Sequence, residues 1–332
     1  MCNYTMNHIQ IGVLSADNEG SEFLGNSWGK KGTSTDITIY TTKNQQFLQT
    51  TIIPNGFPKK MLPLIITAHM SDAVVLGVSK IGLDHYTGEM AILADCLNLP
   101  GVYSVLGDDT IGLNLYLDQM KKAFSKLSLS NWDGLMINNS KGFIDAKEEL
   151  YSKYKGPRGD LDKYLAIEVD HAFPVQGVGS VILGTIMSGT VTKGQKIVAY
   201  PSEQSGQVRS IQVNDEEVKS ASVGTHVGLA LKGILPRYLQ RGTVIATPNE
   251  DKVIETQEIS NIQIKKAAFG KPPTIGQRIH VVSGLYDSPG EITGWNSTAS
   301  IKTDKMIPYH PDNRLTILDL NSKPAVLGSK QK

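Results

Sequence analysis

The chain has 332 residues, room for two or three domains, and its 33 basic against 32 acidic side chains leave a net charge of +1. So even a balance sets up no global field to draw the whole molecule to nucleic acid, and no DNA partner is expected. The first residues lack a charged-then-apolar leader, and the longest apolar runs, Leu62–Ile66 and Ala73–Val78, fall far short of the roughly 20 residues that cross a bilayer.

Two cysteines without paired spacing, Cys2 and Cys96, and seven scattered histidines give no disulfide or zinc framework. The expectation is a cytoplasmic protein with no membrane partner and no metal. The N-terminal half alternates strand and helix signals. His8–Leu14, Asp36–Tyr40, Ala73–Val78, Val102–Leu106 and Gly134–Ile137 are apolar stretches short enough for buried strands. Thr87 predicts a helix start, after which Met90, Leu93, Ala94 and Leu97 repeat on one face until Pro100 ends the run. Leu113, Leu117, Met120, Phe124 and Leu127 have the spacing of a second helix. Strands separated by helices of this length predict an α/β domain over residues 1–155, its mainly parallel sheet covered on both sides.

Lys155–Asp160, charged and glycine-containing, reads as a linker. From Tyr164 onward the character changes to short β-rich runs punctuated by glycine: Ala166–Val169, Gly179–Met187, Lys196–Tyr200, Gln207–Val213, His226–Leu231 and Thr243–Thr247. These predict a barrel or sandwich over residues 164–250. Gly189 and Gly194 bracket what reads as a hairpin connection between Ile186 and Ile197. A third segment, residues 256–325, contains Ile259–Lys265 and Arg278–Ser283 and reads as a further short β domain.

Phe173–Ile186, Ser188–Lys196, Val208–Val213 and Val223–Gly233, with Arg241-Gly242 following, are similar in order and spacing to domain II of the elongation factor Tu-like translation factors. Gly82–Glu89 resembles the segment after the third core strand of these factors' GTP-binding domain, above all in archaeal and selenocysteine-specific members. Leu99–Val102 is similar to the lead into their fourth strand, and Pro272–Val281 resembles a shortened domain III. The fold class implied is α/β plus all-β: a degenerate P-loop GTPase-like parallel-sheet domain, a domain II-type β-barrel and a short domain III-like β domain.

A GTPase of this kind carries Gly-x-x-x-x-Gly-Lys-Ser/Thr directly after its first strand. Glycine amides wrap the phosphates, the lysine neutralises them and the hydroxyl holds magnesium. Here Leu14 leads into Ser15-Ala16-Asp17-Asn18-Glu19-Gly20, whose two acids repel phosphate. Gly25–Lys30 is one residue short of the motif and is followed by Lys31 where Ser or Thr belongs. At the place of the magnesium-binding Asp and the Pro-Gly-His beside the attacking water stand Ile53-Pro54-Asn55-Gly56-Phe57, with no acid and with a phenyl ring that cannot orient water. Leu106-Gly107-Asp108-Asp109-Thr110 replaces the guanine-reading Asn-Lys-x-Asp, and Asn138–Gly142 loosely resembles the last nucleotide motif. Asn18, Glu19, Gly20, Asn55, Gly56, Phe57, Gly107 and Asp108 are therefore positions of a degenerate nucleotide site. No catalytic residue and no cofactor is expected, GTP and magnesium entering only if the phosphate loop has been rebuilt.

The resemblance also implies a domain II pocket for the aminoacylated 3′ end of tRNA, carried onto Val178, Gln212, Asn214 and His226. Val178 stands where bacterial members usually have arginine and Gln212 where they have an acid, so the pocket has lost charge. His226 offers a ring for stacking or a hydrogen-bond donor, or is a residue of the barrel rim. The pairs Lys30-Lys31, Lys59-Lys60, Lys121-Lys122 and Lys265-Lys266 read as solvated surface or as contacts to an RNA backbone. The leading expectation is a non-catalytic elongation factor-like protein that binds tRNA or the ribosome without a GTP cycle. The alternatives are a GTPase with an unconventional phosphate loop using Lys30 or Lys31, and a protein–protein regulator of other translation factors.

Overall fold

The computed structural model describes residues 7–78, 83–106, 113–137 and 140–331. The chain divides into two units, one of Met1–Lys155 with Lys265–Lys271 and Asp319–Ser329, the other of Gly156–Ile264, Pro272–Leu318 and Lys330–Lys332.

The N-terminal part runs β1 (Asn7–Leu14), α1 (Asn18–Trp28), β2 (Lys30–Ser34), β3 (Ile37–Lys43), β4 (Phe47–Pro54), α2 (Leu62–Met70), β5 (Ala73–Val78), α3 (His85–Cys96), β6 (Gly101–Val105), α4 (Leu113–Ala123), β7 (Asp133–Gly134) and α5 (Ser140–Ser152). The sheet order is β2-β3-β4-β1-β5-β6-β7. Strands β4, β1, β5, β6 and β7 are parallel, while β2 and β3 return antiparallel at one edge. Ile9, Ile11 and Val13 of β1 pack with Leu24 and Trp28 of α1 and with Ala146 and Leu150 of α5. Helix α2 packs on β1 and β4, and α3 on β5 and α2. Both faces of β1 are thus covered, which is why its last six residues are all buried.

Three expectations for this part change. Thr87 does not cap its helix: α3 starts at His85, and Asp84 is the cap, its carboxylate accepting from the Thr87 amide at 2.8 Å. Gly134–Ile137 is not a continuous strand. Only Asp133–Gly134 pairs with β6, and Ile137 adds an isolated bridge to Leu106. Strand β4 escaped the hydropathy reading because Gln49, Thr50 and Thr51 interrupt it, yet all eight of its residues are buried. Their side chains find partners inside the protein, such as Gln49 with Thr51 at 2.8 Å and with the Tyr151 hydroxyl.

The next strands are β8 (Ala166–Val175), β9 (Gly179–Ser188), β10 (Thr190–Thr192), β11 (Lys196–Tyr200), β12 (Gln204–Val213), β13 (Glu216–Val218), β14 (Ser220–Ser222), β15 (His226–Lys232) and β16 (Val244–Ala246). Pairing runs β8-β9-β15-β12-β11-β16 and back to β8, a closed six-stranded barrel that β13 extends at β12. Ile167, Val169, Ile182, Ile186, Val208, Ile211, Leu229 and Ile245 fill its interior. The expected simple hairpin between Ile186 and Ile197 is instead interrupted by β10, which pairs with β14 as a separate ribbon.

A second closed barrel has the order β17-β20-β19-β18-β21-β22, where β17 is Ile254–Lys266, β18 Arg278–Ser283, β19 Tyr286–Trp295, β20 Thr298–Tyr309, β21 Leu315–Leu318 and β22 Val326–Lys330. The short β domain of the sequence reading is therefore a complete six-stranded barrel.

Candidate functional site

At the C-terminal end of β1, where a parallel sheet of this kind offers its ligand crevice, only Ser15, Ala16 and Asp17 separate the strand from α1. Asp17 is the N-cap of α1: its carboxylate accepts from the Gly20 amide at 3.0 Å, and the Ser21 hydroxyl donates to the Asp17 carbonyl at 2.6 Å. An internal anion thus takes the helix amide that would hold a phosphate oxygen. Asn18 and Glu19 are exposed on the first turn. Gly20 is buried so tightly that an added Cβ would lie 2.5 Å from the Asp17 carboxylate and 2.7 Å from Leu106.

The residues after β4 have structural partners as well. The Asn55 side-chain amide donates to the Thr35 carbonyl at 2.7 Å and to the Thr38 hydroxyl at 2.8 Å, tying down the β2–β3 connection. Gly56 is exposed. Phe57 is buried, its ring edge-on to Tyr86 at 5.9 Å. Lys31 lies on β2 and pairs with Glu22 at 2.7 Å. Gly107 and Asp108 lie outside the described residues. Among the described residues no cluster of His, Cys, Asp or Glu has metal-holding geometry. Helix α1 carries no basic side chain to set against the Asp17 carboxylate and the phosphates of a nucleotide.

The first barrel carries a buried polar cluster. Asp170 of β8 is bracketed by two histidines: His226 Nε2 donates to Oδ2 at 2.8 Å, and His171 Nδ1 contacts Oδ1. Burial alone would raise the Asp170 carboxyl, but the charges and hydrogen bonds of His226 and His171 outweigh it and hold the group well below the usual carboxylate range. Burial alone would lower His226, but the Asp170 charge and hydrogen bond raise it above 6.5. Arg241 adds a long contact, Nε to the Asp170 carbonyl at 3.5 Å.

The four residues assigned to an RNA-end pocket do not fall together. His226 opens β15 opposite Thr185, and Gln212 pairs with Gly228, so these two share one face of the sheet. Asn214 is the first residue of a two-residue turn between β12 and β13, with φ of 50° followed by 64° at Asp215. Val178 lies in the β8–β9 turn. Ser180 pairs with Leu231 and Thr185 with His226, so the two ends of this ladder stand five residues apart, roughly 17 Å at strand rise. Val178 belongs to a different place, a groove of about 1030 Å³ lined also by Pro174, Arg209, Lys232, Ile234 and Leu235. Asp170 and His171 escaped the sequence reading. Their signal is a charged pair that directly continues the β run Ala166–Val169.

The family model for elongation factor Tu domain 2 matches residues 179–246. An uncharacterized protein of Methanocaldococcus jannaschii is 31% identical over 308 residues, 92% of this chain and 95% of that protein. The selenocysteine-specific elongation factor of the same organism is 26% identical over 273 residues, 79% of this chain but 58% of that factor. The crystal structure of elongation factor SelB from Methanococcus maripaludis, in complex with the GTP analogue GppNHp, superposes with a TM-score of 0.84 over 98% of this chain and 78% of that one, at 21% identity. Bacterial selenocysteine-specific elongation factor EF-Sec gives 0.83 over 98% of this chain and 58% of that one, at 19% identity. These two solved structures carry the fold, a parallel-sheet domain followed by two six-stranded barrels. The chain belongs to the elongation factor Tu-like family of translation factors. Among the described residues no helix is long and apolar enough to cross a membrane.

Proposed function

We propose that this protein is a non-catalytic relative of the elongation factors that binds tRNA or the ribosome without a GTP cycle. The observation that carries the reading is the Asp17 cap, a carboxylate at 3.0 Å from the Gly20 amide where a phosphate loop would place an anion. Two anions do not share one set of amides, and no lysine follows on α1 to offset them. The buried Phe57 and the absence of an acid over Ile53–Phe57 agree with it. With no nucleotide state to bias, binding is simple and reversible, since a switched factor needs two states with different affinities.

A GTPase with a rebuilt phosphate loop would use Lys30 or Lys31, but both lie on β2, beyond α1 from the end of β1. On the first barrel, His226 and the exposed Gln212 share one face of the sheet, and in this reading that face would receive a single-stranded RNA end. The Asp170 carboxylate beside His226 favours the protonated imidazole at that face.

The test is a calorimetric titration with charged and uncharged tRNA, each with and without magnesium-GTP. Binding that GTP leaves unchanged is the expected result, with charged tRNA preferred if the barrel receives the aminoacyl end. Binding that needs GTP overturns the reading. Silence with every tRNA, together with complexes from cells that survive ribonuclease, transfers the function to protein partners.

A further inference from the structure

A groove of about 1030 Å³ lies at the far end of the first barrel from His226. It lies between the tip of the β8–β9 hairpin and the loop after β15. Leu231 and Ile234 form a buried floor, while Val178 and Leu235 stand 37% and 51% exposed at its edge. Soluble proteins seldom leave grouped apolar side chains in water without a partner for them.

Two cations stand on the same groove. Arg209 Nη1 donates to the Val178 carbonyl at 3.0 Å and the Gly177 carbonyl at 3.5 Å. Those contacts hold the guanidinium in place but leave its charge uncompensated. Lys232 is exposed and makes no ion pair among the described residues, and no residue lining the groove is acidic. We propose that this groove is the docking site for an acidic, apolar peptide segment of a partner protein. Its large aliphatic residues would cover Val178 and Leu235 above the Leu231–Ile234 floor, and its carboxylates would meet Arg209 and Lys232. No aromatic ring lines the groove, so it lacks the stacking platform that a nucleic-acid base uses. The inference rests on the barrel alone and stands whether or not the protein binds tRNA.

The experiment selects displayed random short peptides on the full chain and measures the winners by fluorescence anisotropy. Expected are peptides that combine Asp or Glu with Leu, Ile or Phe. Their affinity falls about tenfold or more in Arg209→Glu and Lys232→Glu, and weakens as salt screens the contacts. Leu235→Ser repeats the loss without adding a charge beside either cation. All three side chains are exposed, and circular dichroism with thermal unfolding shows that each variant keeps its fold. Failure to enrich such peptides, or indifference to all three substitutions, overturns the proposal. So does displacement of the peptide by oligouridylate that itself loses affinity in Arg209→Glu, which makes the groove an RNA site.

Discussion

Asp170 is 1% exposed and has a histidine on each carboxylate oxygen, so its charge is retained inside the protein only because that charge is shared. Removing the carboxylate leaves two imidazoles facing each other without an anion, and Asp170→Asn is expected to cost about 3–5 kcal/mol. The pH dependence of that cost follows from the two directions. The Asp170 carboxyl is held below its ordinary 3.8, so its contribution is present above that value and fades as acid protonates the folded carboxylate. His226 is raised above 6.5, so its contribution is full below that value and is lost as pH rises through the higher folded pKa. The difference in stability between wild type and Asp170→Asn is therefore largest from about pH 4 to 6.5 and shrinks on either side. Urea unfolding at several pH values measures it, and a difference that grows towards pH 8 contradicts the assignment.

At the scale of elements, Lys196–Tyr200 and Arg278–Ser283 were legible residue for residue, and Gly179–Met187 fell one residue short of β9. These strands alternate or run apolar between glycine turns, so hydropathy alone marks them. Strand β4 was not legible, because Gln49–Thr51 are satisfied by partners such as Tyr151, distant in sequence. The site divided in the same way. Loss of the phosphate-loop motif was visible in the order of residues, whereas the Asp17 cap needed the three-residue loop to be seen in space. Asn214 shows how a carried-over role and a local one compete. With φ of 50° at Asn214 and 64° at Asp215, both residues are left-handed, the conformation of the tight turns that suit hairpin twist and that asparagine tolerates. Asn214→Val places a β-branched side chain there and is expected to cost about 1–2 kcal/mol, while Asn214→Gly leaves stability nearly unchanged. Thermal unfolding of the two variants side by side decides whether the backbone or the side chain is what the position requires.

Across the molecule, the two barrels meet through polar contacts and one very close backbone approach. Glu168 of β8 faces His310 at 3.2 Å, both nearly fully buried, and the Tyr164 hydroxyl reaches Asp312 at 2.8 Å. Between β15 and β16, Gly242 donates its amide to the Val169 carbonyl at 2.7 Å and holds φ of 82°. A Cβ there would run into the backbone nitrogen and Cα of Tyr286 at the start of β19. Backbone atoms of a barrel strand do not step aside as a flexible side chain does, and the left-handed φ adds its own penalty to any L side chain. Gly242→Ala is therefore expected to cost at least about 1–3 kcal/mol, and to do so by separating surfaces rather than by emptying a core. Hydrogen exchange distinguishes the two. Amides of Val169, Gly242 and Tyr286–Ser288 should lose protection first, while the barrel interior around Ile182 and Ile211 keeps it. Uniform loss of protection through both barrels would mean that Gly242 serves the folding of the first barrel itself and not its junction with the second.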